Sequence, residues 1–197
     1  FLQMYKSENS IGNYLNNCNK AYMCFDGNNL WDCRYVTQSF MVGIKDCIDC
    51  IEVGGGAELV YMSATAGYNA SRIKFCQQVL EQIHEASYSS YCSSSSNLFG
   101  CIGLKRKKFH ILNKKYEPDE YKIMIEKITE HMKKTGEYGK FFPYYISPFA
   151  YNETLAPKWY PLTKEQALEK GFHWRDQKEE FTEVDVVEIP DDIKNTS

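Results

Sequence analysis

No proline occurs in the first 117 residues of this 197-residue chain, and all six, at 118, 143, 148, 157, 161 and 190, follow. Proline cannot donate to a β-ladder, so a long proline-free stretch suits strands that must each hydrogen-bond on both sides. Short apolar segments recur through the same stretch at fairly even intervals: Tyr22-Met23-Cys24-Phe25, Cys33-Arg34-Tyr35-Val36, Cys47-Ile48-Asp49-Cys50-Ile51, Leu59-Val60-Tyr61-Met62 and Ile73-Lys74-Phe75-Cys76. Leu30–Tyr35 aligns without gaps on Ile44–Asp49 at a shift of 14, and Gly56–Tyr61 follows after a further 12. Short strands at near-constant spacing, separated by Asn, Gly and Ser turns, predict a mainly β fold, a right-handed parallel β-solenoid. An antiparallel β-sandwich of similar strand count is the alternative.

Composition divides the chain. All eight cysteines lie at or before Cys101, and residues 9–104 hold 13 charged residues against 34 in residues 105–197. That shift predicts a β-solenoid over 1–116 and a second region over 117–197, a small α-helical C-terminal cap that covers the open end of the stack. In the second region Tyr121, Met124, Ile125, Ile128 and Met132 fall on one helical face, with Pro118 in the first turn and Lys133-Lys134 before Gly136. A second helix is expected over 163–170, where Thr163 and Gln166 have capping-box spacing. An aromatic, proline-rich connector lies between the helices. An acidic tail follows, in which Val184 and Val186 fit an edge strand.

Several stretches, namely Phe99–Lys105, Phe109–Tyr116, Gly136–Gly139, Phe141–Pro143, Ser147–Thr154 and Pro161–Ala167, together resemble an uncharacterised metagenomic bacterial protein family. The resemblance spans Asn17 to Ile193. Many members carry zinc-ribbon modules beside this region. The resemblance implies a bacterial, intracellular (cytoplasmic) origin and no established activity. The paired CxxC knuckles of a ribbon are absent here, so a zinc role of that kind belongs outside this chain.

The candidate chemistry is sparse. Cys47-Ile48-Asp49-Cys50 is a lone CxxC, a weak metal candidate, because on a plain strand residues three apart point to opposite faces. The competing reading makes the cysteines small buried fillers. Asp32, Asp46 and Asp49 are weak catalytic candidates for a carbohydrate-active solenoid enzyme, which needs two carboxylates in one open groove. Aspartates at strand ends also simply cap turns. Lys105, Arg106, Lys107, Lys108, Lys114 and Lys115, interleaved with Phe109, His110 and Tyr116, form a basic segment that suits phosphate contact. The competing reading is a solvated edge, or a seam paired with the acidic tail. Gly54-Gly55-Gly56 matches no phosphate-loop pattern and is expected as a tight turn.

A net charge of −3 excludes a globally basic nucleic-acid binder but not a local patch. No apolar run approaches the ~20 residues of a membrane-spanning helix, so no membrane partner is expected. The chain begins at Phe1 without a methionine, which fits a fragment or trimmed product, and it shows no signal-peptide pattern. The expectation is a non-catalytic binding or scaffold module that presents a stacked β face to a macromolecule, protein or nucleic acid. No cofactor is expected.

Overall fold

The computed structural model describes residues 3–39 and 43–176. It contains a parallel β-solenoid of about eight turns with short helices toward the C-terminus. Successive coils pair in parallel, so the sandwich alternative does not apply. The interior follows a period of three. In the strand Ile44–Val53, Ile44, Cys47, Cys50 and Val53 are buried, and Asp46, Asp49 and Glu52 just before three of them have φ of 53°, 55° and 57°. Each triplet is therefore an inward residue, an extended outward residue and a left-handed outward residue. The left-handed residue turns the chain before the next side chain is set, so every third residue faces in and strict alternation is lost. This corrects the expectation for Cys47 and Cys50, which face the same interior.

Four inward columns result. The first includes Cys18, Leu30, Ile44, Ala57, Ala70 and Ile83; the second Cys33, Cys47, Val60, Ile73, Ala86 and Leu98. The third includes Cys24, Val36, Cys50, Ser63, Cys76, Ser89 and Cys101, and the fourth Leu15, Ser39, Val53, Ala66, Val79 and Cys92. The pairing confirms the 14-residue shift, with Leu30 beside Ile44. The next step is 13, not 12, because Lys45 pairs with Glu58. From Ile44 onward the extra residues all enter at the corner between the fourth and first columns, where Gly54-Gly55-Gly56 forms the expected turn. In the first coil Gly12 takes the third-column place. A Cβ there would lie 1.9 Å from the Cys24 carbonyl oxygen, so only glycine fits.

Backbone accounting explains why so many inward residues are Cys or Ser. The extended residue donates to the following coil, as Tyr22 N–H does to the Cys33 carbonyl (2.9 Å). The left-handed residue donates to the preceding coil, as Phe75 N–H does to the Tyr61 carbonyl (3.1 Å). The inward residue's N–H instead meets a side chain of the preceding coil: Cys76 to Ser63 Oγ (3.1 Å), Ser89 to Cys76 Sγ (3.5 Å) and Cys101 to Ser89 Oγ (3.1 Å). The same groups donate to the carbonyl two residues back, Ser63 to Tyr61 (2.9 Å) and Cys76 to Lys74 (3.3 Å). Where the inward residue is Ser or Cys, its side chain thus accepts from the inward N–H of the next coil, while its own donor goes to a carbonyl that already accepts a backbone N–H, as Tyr61 does from Phe75.

The stack ends in an antiparallel hairpin. Lys108–Ile111 pairs with Lys114–Lys115 across Leu112 and Asn113, whose φ of 47° and 64° suit a two-residue turn. The Asn113 side chain accepts from Ile102 N–H and donates to the Ile102 carbonyl, both at 2.9 Å, in place of a further coil.

Helix α1 (Pro118–Thr135) starts with the Glu120 carboxylate accepting from Glu117 N–H (3.4 Å) and ends at left-handed Gly136 (φ 73°). Tyr121 is buried, and Met124, Ile125, Ile128 and Met132 are half-buried, the expected stripe. The chain forms two compact units that divide between Phe142 and Pro143, so α1 belongs with the solenoid rather than with a region starting at 117.

In the second unit, two short 3-10 turns precede α2 (Ala156–Trp159) and α3 (Lys164–Glu169). Thr163 Oγ1 accepts from Gln166 N–H (3.3 Å), the expected cap. Phe172 stacks on Tyr144 and packs on Tyr151, whose hydroxyl donates to the Tyr160 carbonyl; Arg175 pairs with Glu153 at 2.5 Å. The edge strand expected around Val184 and Val186 lies outside the described residues.

Candidate interaction surfaces

Two surfaces of the solenoid unit concentrate chemistry. The first is the flank beside the second column, where a ladder runs Tyr22, Arg34, Ile48, Tyr61, Lys74, Ser87 and Phe99, one residue per coil. From Phe75 onward the chain covers this flank itself. Tyr121 of α1 packs edge-on against Phe109 (5.7 Å), and Phe142 does so against Tyr88 (5.7 Å). Phe75 stacks on Tyr88 at 4.8 Å, and Phe99 packs against Tyr88 at a tilt of 53° and 5.4 Å. Tyr121, Ile125 and Thr129, two turns of α1, enclose a groove with Arg72, Glu85 and Asn97 beneath them, so α1 begins at the last coil and runs back along the flank. The Tyr88 hydroxyl is buried there without a hydrogen-bond partner among the described residues, beside the Gly139 backbone, and burial raises its pKa.

The earlier coils carry the same ladder uncovered. Tyr22 is 46% exposed and Tyr35 50%, in edge contact at 5.6 Å; Met23, Ile48 and Tyr61 are exposed beside them. Lys20, Asp32 and Arg34 line a shallow groove with the two tyrosines. Periodicity of two could not have located this surface. The signal was present at a period of 12–14, as aromatic and aliphatic residues immediately after the inward positions.

The three aspartates sit outside the coils at left-handed positions. Asp32 and Asp46 are register neighbours, one residue beyond the Trp31–Lys45 pair, whereas Asp49 lies past the second column on the next side. Asp32 pairs with Lys20 (3.4 Å) and Asp46 with Lys45 (3.7 Å). The described structure brings two of the three together and gives both a lysine partner. Asn and Asp tolerate the left-handed region better than other residues, which accounts for their recurrence here.

All eight cysteines are free and buried. Cys47 and Cys50 donate to the carbonyls of Lys45 (3.3 Å) and Ile48 (3.1 Å). Burial pushes the Cys50 thiol up to about 11 and Cys76 up to about 12. A metal takes the thiolate, the form that burial disfavours, and among the described residues no three His, Cys, Asp or Glu side chains are grouped to hold one.

The second surface is the last coil. Lys105, Arg106, Lys107, Lys108, Lys114 and Lys115 are all exposed, and no ion pair among the described residues involves them. Lys107 occupies an inward position, its N–H bonded to Ser95 Oγ (2.9 Å), and reaches solvent because no coil lies above it. Whether the acidic tail meets these cations lies outside the described residues. No described helix is long and apolar enough to cross a membrane. Comparison with protein-family models, curated proteins and solved structures gives no match.

Proposed function

We propose that the protein is a non-catalytic binding module that receives an amphipathic helical segment of a partner protein on the open half of the flank, around Tyr22, Tyr35, Ile48 and Tyr61. The observation that carries this reading is the continuity of the ladder. On the positions that Phe75, Tyr88 and Phe99 occupy under α1 and Phe142, the earlier coils keep Tyr22, Met23, Tyr35, Ile48 and Tyr61 exposed, with Arg34 and Asp49 as the charged members. The chain's own cover shows the complementary chemistry: a helix with aromatic and aliphatic residues at i and i+4. Exposed contiguous aromatics on a rigid stack favour contact with a partner, because their burial releases water at little cost in conformational entropy.

Selection from a phage-displayed helical peptide library tests it. The wild-type chain is expected to enrich peptides with an aromatic or aliphatic stripe, and Tyr22→Ser/Tyr35→Ser/Ile48→Ser to enrich none. Equal enrichment by both proteins, or none by the wild type, overturns the proposal.

A further inference from the structure

We infer that the last coil and its hairpin bind the phosphodiester backbone of a nucleic acid, independently of base sequence. Three observations converge. First, coil closure and chain reversal gather charges that lie apart in sequence. Lys105 and Arg106 occupy one corner and Lys108 the next side. The hairpin then returns Lys114 beside Ile111 and Lys115 beside His110. Lys107 adds a cation at the open end of the interior, at a place that is apolar in most other coils. Second, none of the six is neutralised. Among the described residues they make no ion pair, and the only charge contact is Lys114 Nζ over the Tyr116 ring at 5.5 Å. Third, the coil and hairpin themselves carry no carboxylate, the next ones being Glu117, Asp119 and Glu120 at the start of α1. No Asp or Glu occurs from Ala86 to Tyr116. The coil beneath places Ser93 next to Lys105 and Ser96 next to Lys108, neutral groups that hydrogen-bond to phosphate oxygens.

The whole chain is acidic, so its mean field repels a polyanion, and attraction must come from this local concentration. Five of the six cations are lysines, point charges that suit phosphates more than the planar edges of bases. The competing role for exposed lysines at a sheet edge is to discourage pairing with another chain. That role predicts no ligand.

The test is fluorescence anisotropy of the full chain with labelled random-sequence oligonucleotides, single-stranded and duplex, between about 50 and 300 mM salt. Binding is expected at low salt, weakening with a log–log slope of about −3 to −5. Lys105→Ala/Arg106→Ala/Lys107→Ala/Lys108→Ala is expected to weaken it at least about tenfold and flatten the slope. Lys105→Arg/Lys107→Arg/Lys108→Arg keeps the charge and should retain binding, which separates loss of phosphate contact from loss of fold. Lys133→Ala/Lys134→Ala at the far end of α1 should leave binding unchanged. Absence of binding at the lowest salt, wild-type affinity in the quadruple alanine variant, or loss in the arginine variant overturns the proposal. Equal competition by inorganic polyphosphate at matched charge overturns the assignment to nucleic acid.

Discussion

The coils on either side of residue 70 share one interior and differ outside. In both, Cys, Ser, Val, Leu and Ile fill the four columns every third residue, and the same backbone pairing joins coil to coil. On the flank beside the second column, Phe75, Tyr88 and Phe99 lie under α1 and Phe142, whereas Tyr22, Tyr35 and Ile48 face solvent. The inward triplets and their pairing are thus the same with and without a helix over the flank. The outward positions are left free for other uses, intramolecular in one half and, by our proposal, intermolecular in the other.

The strongest attack on this comparison is on what the halves share. Inserting one alanine between Ile48 and Asp49 moves Cys50 and Val53 off their columns, and an insertion between Lys74 and Phe75 does the same to Cys76 and Val79. Both variants should fail to show a cooperative unfolding transition by circular dichroism. One serine inserted between Ser93 and Ser94 enters the corner that already accommodates extra residues in other coils, and should cost less than about 1 kcal/mol. Equal damage at all three sites would show that the triplet frame is not the determinant of the fold.

The next prediction addresses the difference between the halves. Tyr121 is 8% exposed and packs on Phe109, so Tyr121→Ala should cost about 3–4 kcal/mol by denaturant unfolding and raise binding of an apolar dye. Tyr35→Ala removes a half-exposed ring and one edge contact, and should cost about 0.5–1 kcal/mol. Similar costs would mean that the open flank is structural rather than available.

The proline-free stretch, the even spacing of apolar segments and the 14-residue shift pointed to a parallel stack but left an antiparallel sandwich as the alternative, because continuous ladders of either kind exclude proline. The parallel pairing of successive coils decides between them. The helical stripe of α1 was equally legible, since a period of 3.6 is local. The period of three was not. It depends on left-handed residues as varied as Tyr14, Met23, Leu59 and Thr65, whose intrinsic preferences oppose that backbone and yield to the pairing on both sides. For the same reason the two cysteines of the CxxC were expected on opposite faces. The aspartates and the basic segment were visible as residues, but which of them share a surface is set by coil closure and by the hairpin at Leu112-Asn113. The path of α1 along the flank carries no sequence signal beyond its apolar stripe.

Alkali tests the shared interior with a smaller effect. Burial holds Cys24 and Cys50 in the open half up at about 11, and Cys76 in the covered half up at about 12, against an ordinary value of 9.0. A thiol with a raised folded pKa favours the folded state fully below pH 9, where both states are protonated. That contribution is lost as pH rises from 9 toward the folded value, because only the unfolded chain ionises freely. Stability should be flat to about pH 9 and then fall by on the order of 3–4 kcal/mol per thiol by pH 11–12. Cys76→Ser keeps the bonds to Lys74 and Ser89 and should remove part of the fall; a pH profile identical to wild type would place that thiol outside the titration.

The smallest effects separate the halves at equivalent backbone positions. Tyr88 and Met23 both occupy the left-handed place after the same ladder, at φ of 51° in each case. At Met23, 40% exposed and without a ring partner, asparagine suits the backbone better, so Met23→Asn should stabilise by about 0.5 kcal/mol. At Tyr88 the ring is needed between Phe75 and Phe99, so Tyr88→Asn should destabilise despite the same backbone benefit. The hydroxyl is another matter. It is buried without a partner among the described residues, and Tyr88→Phe removes its desolvation cost while the rings stay in place, for an expected gain of about 0.5–1 kcal/mol in urea unfolding. A loss instead of a gain would mean that the Gly139 backbone satisfies this oxygen, and that the covered half is closed by a polar contact as well as by its rings.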